Sequence, residues 1–93
     1  MEIHLDSNGT VRLDGRLDAA EAENARDVFR TLNGPVTVNC EKLEYISSAG
    51  LSVLVETYKR LSTSGHSLRL TGMQPRVRSV FALSGLDRIL KIE

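Results

Sequence analysis

Short strand-patterned runs alternate with helix-patterned stretches along all 93 residues, and that alternation restricts the fold more than any other feature. Glu2-Ile3-His4-Leu5 and Thr10-Val11-Arg12-Leu13-Asp14 alternate polar and apolar residues, with Asp6-Ser7-Asn8-Gly9 between them. An Asn-Gly pair between alternating runs signals a hairpin, because both residues tolerate the positive φ of a tight turn. Asp18 stands at an N-cap position, and Glu21 completes an Asp-x-x-Glu pattern close to a capping box. Ala22, Ala25, Val28, Phe29 and Leu32 then recur at helical spacing until Asn33-Gly34-Pro35 stops the helix. Val36 to Cys40 is short and β-branched, as a central strand requires, and Glu41 to Tyr45 reads as a connector. Leu51, Leu54, Val55, Tyr58 and Leu61 form a second helical stripe, closed by Ser62 to Gly65. Ser67 to Thr71 alternates again, and Pro75 suits the first position of a third helix. Val77, Val80, Phe81 and Ser84 share the inner face of that helix, Gly85 is its C-cap, and Ile89 to Ile92 is a last edge strand. The expected order is β-β-α-β-α-β-α-β. It describes an α/β fold in one domain over residues 1–93, a mixed β-sheet with helices packed against it.

Composition narrows the function. Twelve Lys and Arg balance twelve Asp and Glu, which disfavours direct nucleic-acid binding, a process driven by excess positive charge. The charges are nonetheless segregated. Residues 1–58 carry five bases against ten acids, and residues 59–93 carry seven bases against two acids. Such segregation either steers a charged protein partner or is cancelled when the fold interleaves the two halves. No run approaches the about 20 apolar residues of a membrane span, no signal peptide is visible, and the lone Cys40 has no disulfide partner. The expectation is a cytoplasmic protein with no membrane association.

Little in the chain carries catalytic chemistry. His4 and His66 stand outside metal-ligand spacings, so no metal site is expected, and Cys40 reads as a small buried hydrophobe. Neither a phosphate-cradling glycine loop nor a Gly-x-Ser-x-Gly nucleophile motif is present, so no cofactor and no enzymatic activity are expected. One segment stands apart. Ser47-Ser48-Ala49-Gly50-Leu51 puts two hydroxyls at the mouth of the second helix, where backbone amides are unpaired and the dipole is positive. Two readings follow. A serine there is an N-cap worth about 1 kcal/mol, or it is a site where a phosphate is well tolerated and small neighbours leave room for a partner to reach the backbone.

The segment Tyr45-Ile46-Ser47-Ser48-Ala49-Gly50-Leu51-Ser52-Val53-Leu54 resembles the signature loop and helix of STAS domains, specifically bacterial anti-sigma factor antagonists. Leu13 to Asp18 is similar to the family's Gly-Glu-Leu-Asp loop, and Val77 to Leu90 to its closing helix and strand. The three segments span almost the whole chain in the family's order.

The resemblance implies partner switching. The unphosphorylated antagonist sequesters an anti-sigma factor that is also a serine kinase, phosphorylation releases it, and a metal-dependent serine phosphatase restores the complex. It assigns the phosphate to Ser48, with Ser47 as the alternative, and a partner surface to Asp18, Ser47, Ser48, Ala49, Gly50 and Leu51. Ser47 stands where many members have Asp, and Ala49 where many have Ser or Thr. Two other roles within the same fold are a scaffold subunit of a signalling or lipid-transport assembly and a small-ligand-binding module.

Overall fold

The computed structural model describes residues 1–6 and 8–93. Its order is β1 (Glu2–Leu5), β2 (Thr10–Leu17), α1 (Ala19–Arg30), β3 (Val36–Asn39), β4 (Leu43–Ile46), α2 (Ser48–Thr63), β5 (Leu68–Thr71), α3 (Pro75–Ser84), a 3-10 turn over Leu86–Arg88, and β6 (Lys91–Ile92). The opening hairpin forms as the alternation requires, with β1 antiparallel to β2 and Ile3 opposite Leu13. Asp6 accepts the amides of Asn8 and Thr10 at 3.1 Å each, and Gly9 takes the positive φ of 85°. Ser7, the second residue of the expected turn, lies outside the described residues.

The remaining pairings are parallel, and the main sheet runs β1-β2-β3-β5-β6, with β4 paired to β2. Strand alternation separates its two faces. Val11, Leu13, Val36, Val38, Leu68 and Leu70 are buried on one side, where α1 packs on β2 and α2 on β4 and β5. Arg12, Asp14, Thr37, Asn39 and Arg69 occupy alternate positions and remain in contact with solvent. Phe29 of α1, Leu54 and Leu61 of α2 and Phe81 of α3 fill the core.

Three local expectations need correction. The stretch Glu41 to Tyr45 is not only a connector, since Leu43–Ile46 forms β4. Its burial runs in-out-out-in, with Leu43 and Ile46 buried and Glu44 and Tyr45 exposed, so no period of two is visible in the sequence. The cause is a register shift in the β2–β4 pairing between Gly15 and Arg16. Ser84 is exposed rather than on the inner face of α3, its hydroxyl donating to the Phe81 carbonyl at 3.0 Å. The closing strand shrinks to Lys91–Ile92, because the amides of Ile89 and Leu90 turn back to the Leu86 carbonyl at 3.0 and 2.8 Å, and Ile89 is exposed. Gly85 is the expected C-cap of α3, at a φ of 77° that a Cβ would strain. Every ion pair among the described residues joins groups of the same half of the chain, so no ion pair bridges the acidic and basic segments.

Candidate functional site

The long strand β2 positions the site. Its first half pairs with β3 and its second half with β4, so Leu17 and Ile46 lie in register at the carboxyl ends of adjacent parallel strands. The next residue on each strand caps a helix. Asp18 caps α1, its carboxylate accepting the Glu21 amide at 3.1 Å. Ser47 caps α2, its hydroxyl accepting the Gly50 amide at 3.2 Å. The Ser47 amide donates to the Leu17 carbonyl at 2.9 Å, which ties the two capping turns together. Two helix N-termini, each with outward-facing amides and a partial positive charge, therefore open side by side.

The cap is Ser47, and Ser48 is the first residue of α2. Ser48 is exposed, and its hydroxyl has no hydrogen-bond partner among the described residues. Ser47 therefore takes the capping role. The Ser47 oxygen is engaged in the cap, and the Ser48 oxygen faces solvent. Asp18, Ser47 and Ala49 are half-buried. Gly50 and Leu51 are buried beneath, so of the six residues assigned to the partner surface these two shape the loop from inside.

The expectation that Gly50 leaves room for a partner is corrected by its surroundings. A Cβ at that position would lie 2.8 Å from both Leu17 Cγ and the Leu17 carbonyl oxygen, and 2.9 Å from Ile46 Cγ1. The space is filled by the protein's own strand ends, and glycine lets α2 start directly on them. The capping box of α1 is only half formed. Asp18 caps, while the Glu21 carboxylate turns to the amino-terminal ammonium at 3.4 Å.

Sequence reasoning missed one pair at the rim. Arg16 and Tyr45 are register partners on β2 and β4. The guanidinium lies 4.3 Å from the ring centroid, an exposed cation–π contact just before the two capping turns. Only the unforeseen pairing of β4 brings these residues together. A cavity of about 210 Å³ lies elsewhere, between α1 and α2, lined by Arg26, Arg30, Glu56, Thr57 and Arg60. Arg26 and Glu56 of its lining form an ion pair at 2.8 Å, and none of the loop residues enters.

A family model described as "Mlab, STAS domain" matches residues 3–91. The chain belongs to the STAS domain family. An anti-sigma-B factor antagonist of Staphylococcus aureus is 27% identical over 86 residues, which cover 88% of this chain and 80% of the relative. The fold superposes on a Thermotoga maritima protein described as a candidate anti-sigma factor antagonist with a TM-score of 0.82 at 24% identity, covering 98% of this chain and 83% of that one. It also superposes on the Bacillus cell fate determinant SpoIIAA in its phosphorylated form, with a TM-score of 0.73 at 24% identity, covering 99% of this chain and 89% of that one. At these identities the structural likeness is one of fold. This STAS domain has the mixed sheet and three helices expected of it. Among its described residues no helix is long and apolar enough to cross a membrane.

Proposed function

We propose that this STAS domain, acting as one unit over residues 1–93, is a cytoplasmic, non-enzymatic anti-sigma factor antagonist that works by partner switching. The unphosphorylated form binds and sequesters an anti-sigma factor that is also a serine kinase. Phosphorylation of Ser48 releases that partner, and a metal-dependent serine phosphatase reverses the modification. The observation that carries the reading is the exposed Ser48 hydroxyl in the first turn of α2, beside a second capped helix mouth. Kinship with the Staphylococcus aureus antagonist supports the same role.

The physics of the switch follows from that position. A phosphate on Ser48 adds about −1.5 to −2 charges and several acceptor oxygens. The α2 dipole tolerates an anion at its N-terminus, so the domain stays folded. At a docked surface the same charge has to be desolvated, and it meets the Asp18 carboxylate at the neighbouring cap. Binding is lost while the fold is kept.

Incubation with a serine-kinase anti-sigma factor of the same organism and ATP is the test. One phosphate is expected on Ser48 and none on Ser48→Ala. Ser48→Asp should stay folded and bind the kinase at least about tenfold more weakly, a difference of about 1.4 kcal/mol. Phosphopeptides carrying the group on Ser47, or undiminished labelling of Ser48→Ala, would overturn the assignment. A second reading within the same fold is a scaffold subunit of a lipid-transport assembly. Affinity capture of transporter subunits in place of a kinase would select it.

A further inference from the structure

The open face of the β1–β2 hairpin carries a cluster of donors that takes no part in the serine loop. Glu2 and His4 alternate on β1, and their cross-strand partners are Asp14 and Arg12. Strand alternation turns all four side chains to the solvent side, away from Ile3, Val11 and Leu13. His4 Nε2 lies 3.4 Å from Glu2 Oε1 and 3.5 Å from Asp14 Oδ2. One donor atom from each of the three residues falls within 4.8 Å of the others. Two of these separations match the edge of a coordination tetrahedron, about 3.4 Å for metal–ligand bonds of about 2.1 Å.

Two features of the hairpin favour a cation at this place. Glu2 and Asp14 are directly opposite on antiparallel strands, an arrangement of like charges that destabilises a sheet unless positive charge lies between them. Arg12 meets part of that need from one side. Its Nε donates to Asp14 Oδ1 at 2.9 Å, and its second bond, to Oδ2, is long at 3.4 Å. That contact orients the carboxylate and leaves Oδ2 toward His4, the role that an outer partner plays for a metal-ligating carboxylate.

We propose that Glu2, His4 and Asp14 form a surface site for a divalent transition-metal cation, Zn²⁺ being the type, with Arg12 as the positioning residue. One imidazole and two carboxylates suit a borderline cation. The imidazole nitrogen discriminates against Ca²⁺ and Mg²⁺, which favour all-oxygen sets. Three protein ligands leave a further coordination position for water or for a donor from a docked molecule.

Titration of the untagged full chain with Zn²⁺ alone, in competition with a chromogenic chelator, tests the site. One ion per chain is expected, with an affinity in the micromolar range. His4→Asn and Glu2→Gln should each weaken binding by at least about tenfold, and His66→Asn should leave it within about twofold. The His4 ring nitrogens should shift in NMR spectra while those of His66 do not. All three variants change exposed or half-buried side chains, and circular dichroism checks that they fold. Failure to bind below about millimolar Zn²⁺ would overturn the site. So would binding that His4→Asn leaves unchanged or that His66→Asn removes.

Discussion

The backbone amide of Ser47 donates to the Leu17 carbonyl at 2.9 Å, one residue beyond the Leu17–Ile46 register pair. This bond continues the sheet ladder into the turn where α2 begins. It fixes the start of α2 against the strand end that leads into α1. A displacement of the serine loop therefore loads the Asp18 cap as well.

Gly50 bears on that junction most directly. An exposed Gly→Ala change in a helix ordinarily gains up to about 1 kcal/mol. Here the added methyl would meet the Leu17 backbone oxygen at 2.8 Å, and a strand carbonyl cannot swing away as a side-chain end can. Gly50→Ala should destabilise the domain by about 1–3 kcal/mol, the usual cost of overpacking. Urea unfolding monitored by circular dichroism checks this, and a stability equal to or above wild type would contradict it.

The adjacent serines should separate cleanly in stability. Ser47→Ala removes the oxygen that accepts the Gly50 amide and should cost about 0.5–2 kcal/mol. Ser48→Ala removes a solvent-facing hydroxyl and should stay within about 0.5 kcal/mol of wild type. Paired thermal and urea melts of the two variants supply the comparison. Equal losses would mean that both hydroxyls support the helix start.

The elements legible in the sequence were those whose burial follows a single period. α1 and β5 follow from a three-to-four spacing or strict alternation, Gly85 from C-cap chemistry, and the hairpin from its turn residues, although Leu5 at the end of β1 is exposed. β4 was not legible, because a register shift places two exposed residues in succession between two buried ones. The buried face of α2 was read too narrowly. Val53 and Thr57 are buried as well, and Thr57 fits because its hydroxyl donates to the Val53 carbonyl at 2.8 Å. At the candidate site, the serine loop stands out in one dimension. Which of Ser47 and Ser48 caps α2 needed backbone geometry, since either residue has the chemistry of a cap. The Arg16–Tyr45 stack and the Glu2–His4–Asp14 cluster depend on strand pairing, which no local spacing encodes.

Cys40 should be inert until the protein unfolds. Its side chain is fully buried, and burial pushes its thiol up to about 12, with the nearby Thr71 backbone opposing slightly. The thiolate is the reactive form, so almost none is present at pH 8. A maleimide or disulfide reagent should label the native protein only at the rate of global opening and should label it promptly in concentrated urea. Fast stoichiometric labelling under native conditions would show that the β3 end opens locally.

Asp18 supports two readings that one conservative change separates. As the cap of α1 it accepts the Glu21 amide at 3.1 Å, a role that asparagine fills about as well. As a charge beside the Ser48 loop it also shapes the approach of a partner and repels a phosphate placed there. Asp18→Asn keeps the cap and removes the charge, so stability should stay within about 0.5 kcal/mol of wild type. If the charge faces the partner, kinase affinity or the rate of Ser48 phosphorylation should change severalfold. The change should shrink as salt rises, because exposed charges are screened over about 8–10 Å at physiological ionic strength. Phosphorylation kinetics at low and high salt, with wild type in parallel, make the measurement. Rates matching wild type at both salts would confine Asp18 to capping α1, and the charge contribution to the switch would then rest on the phosphate alone.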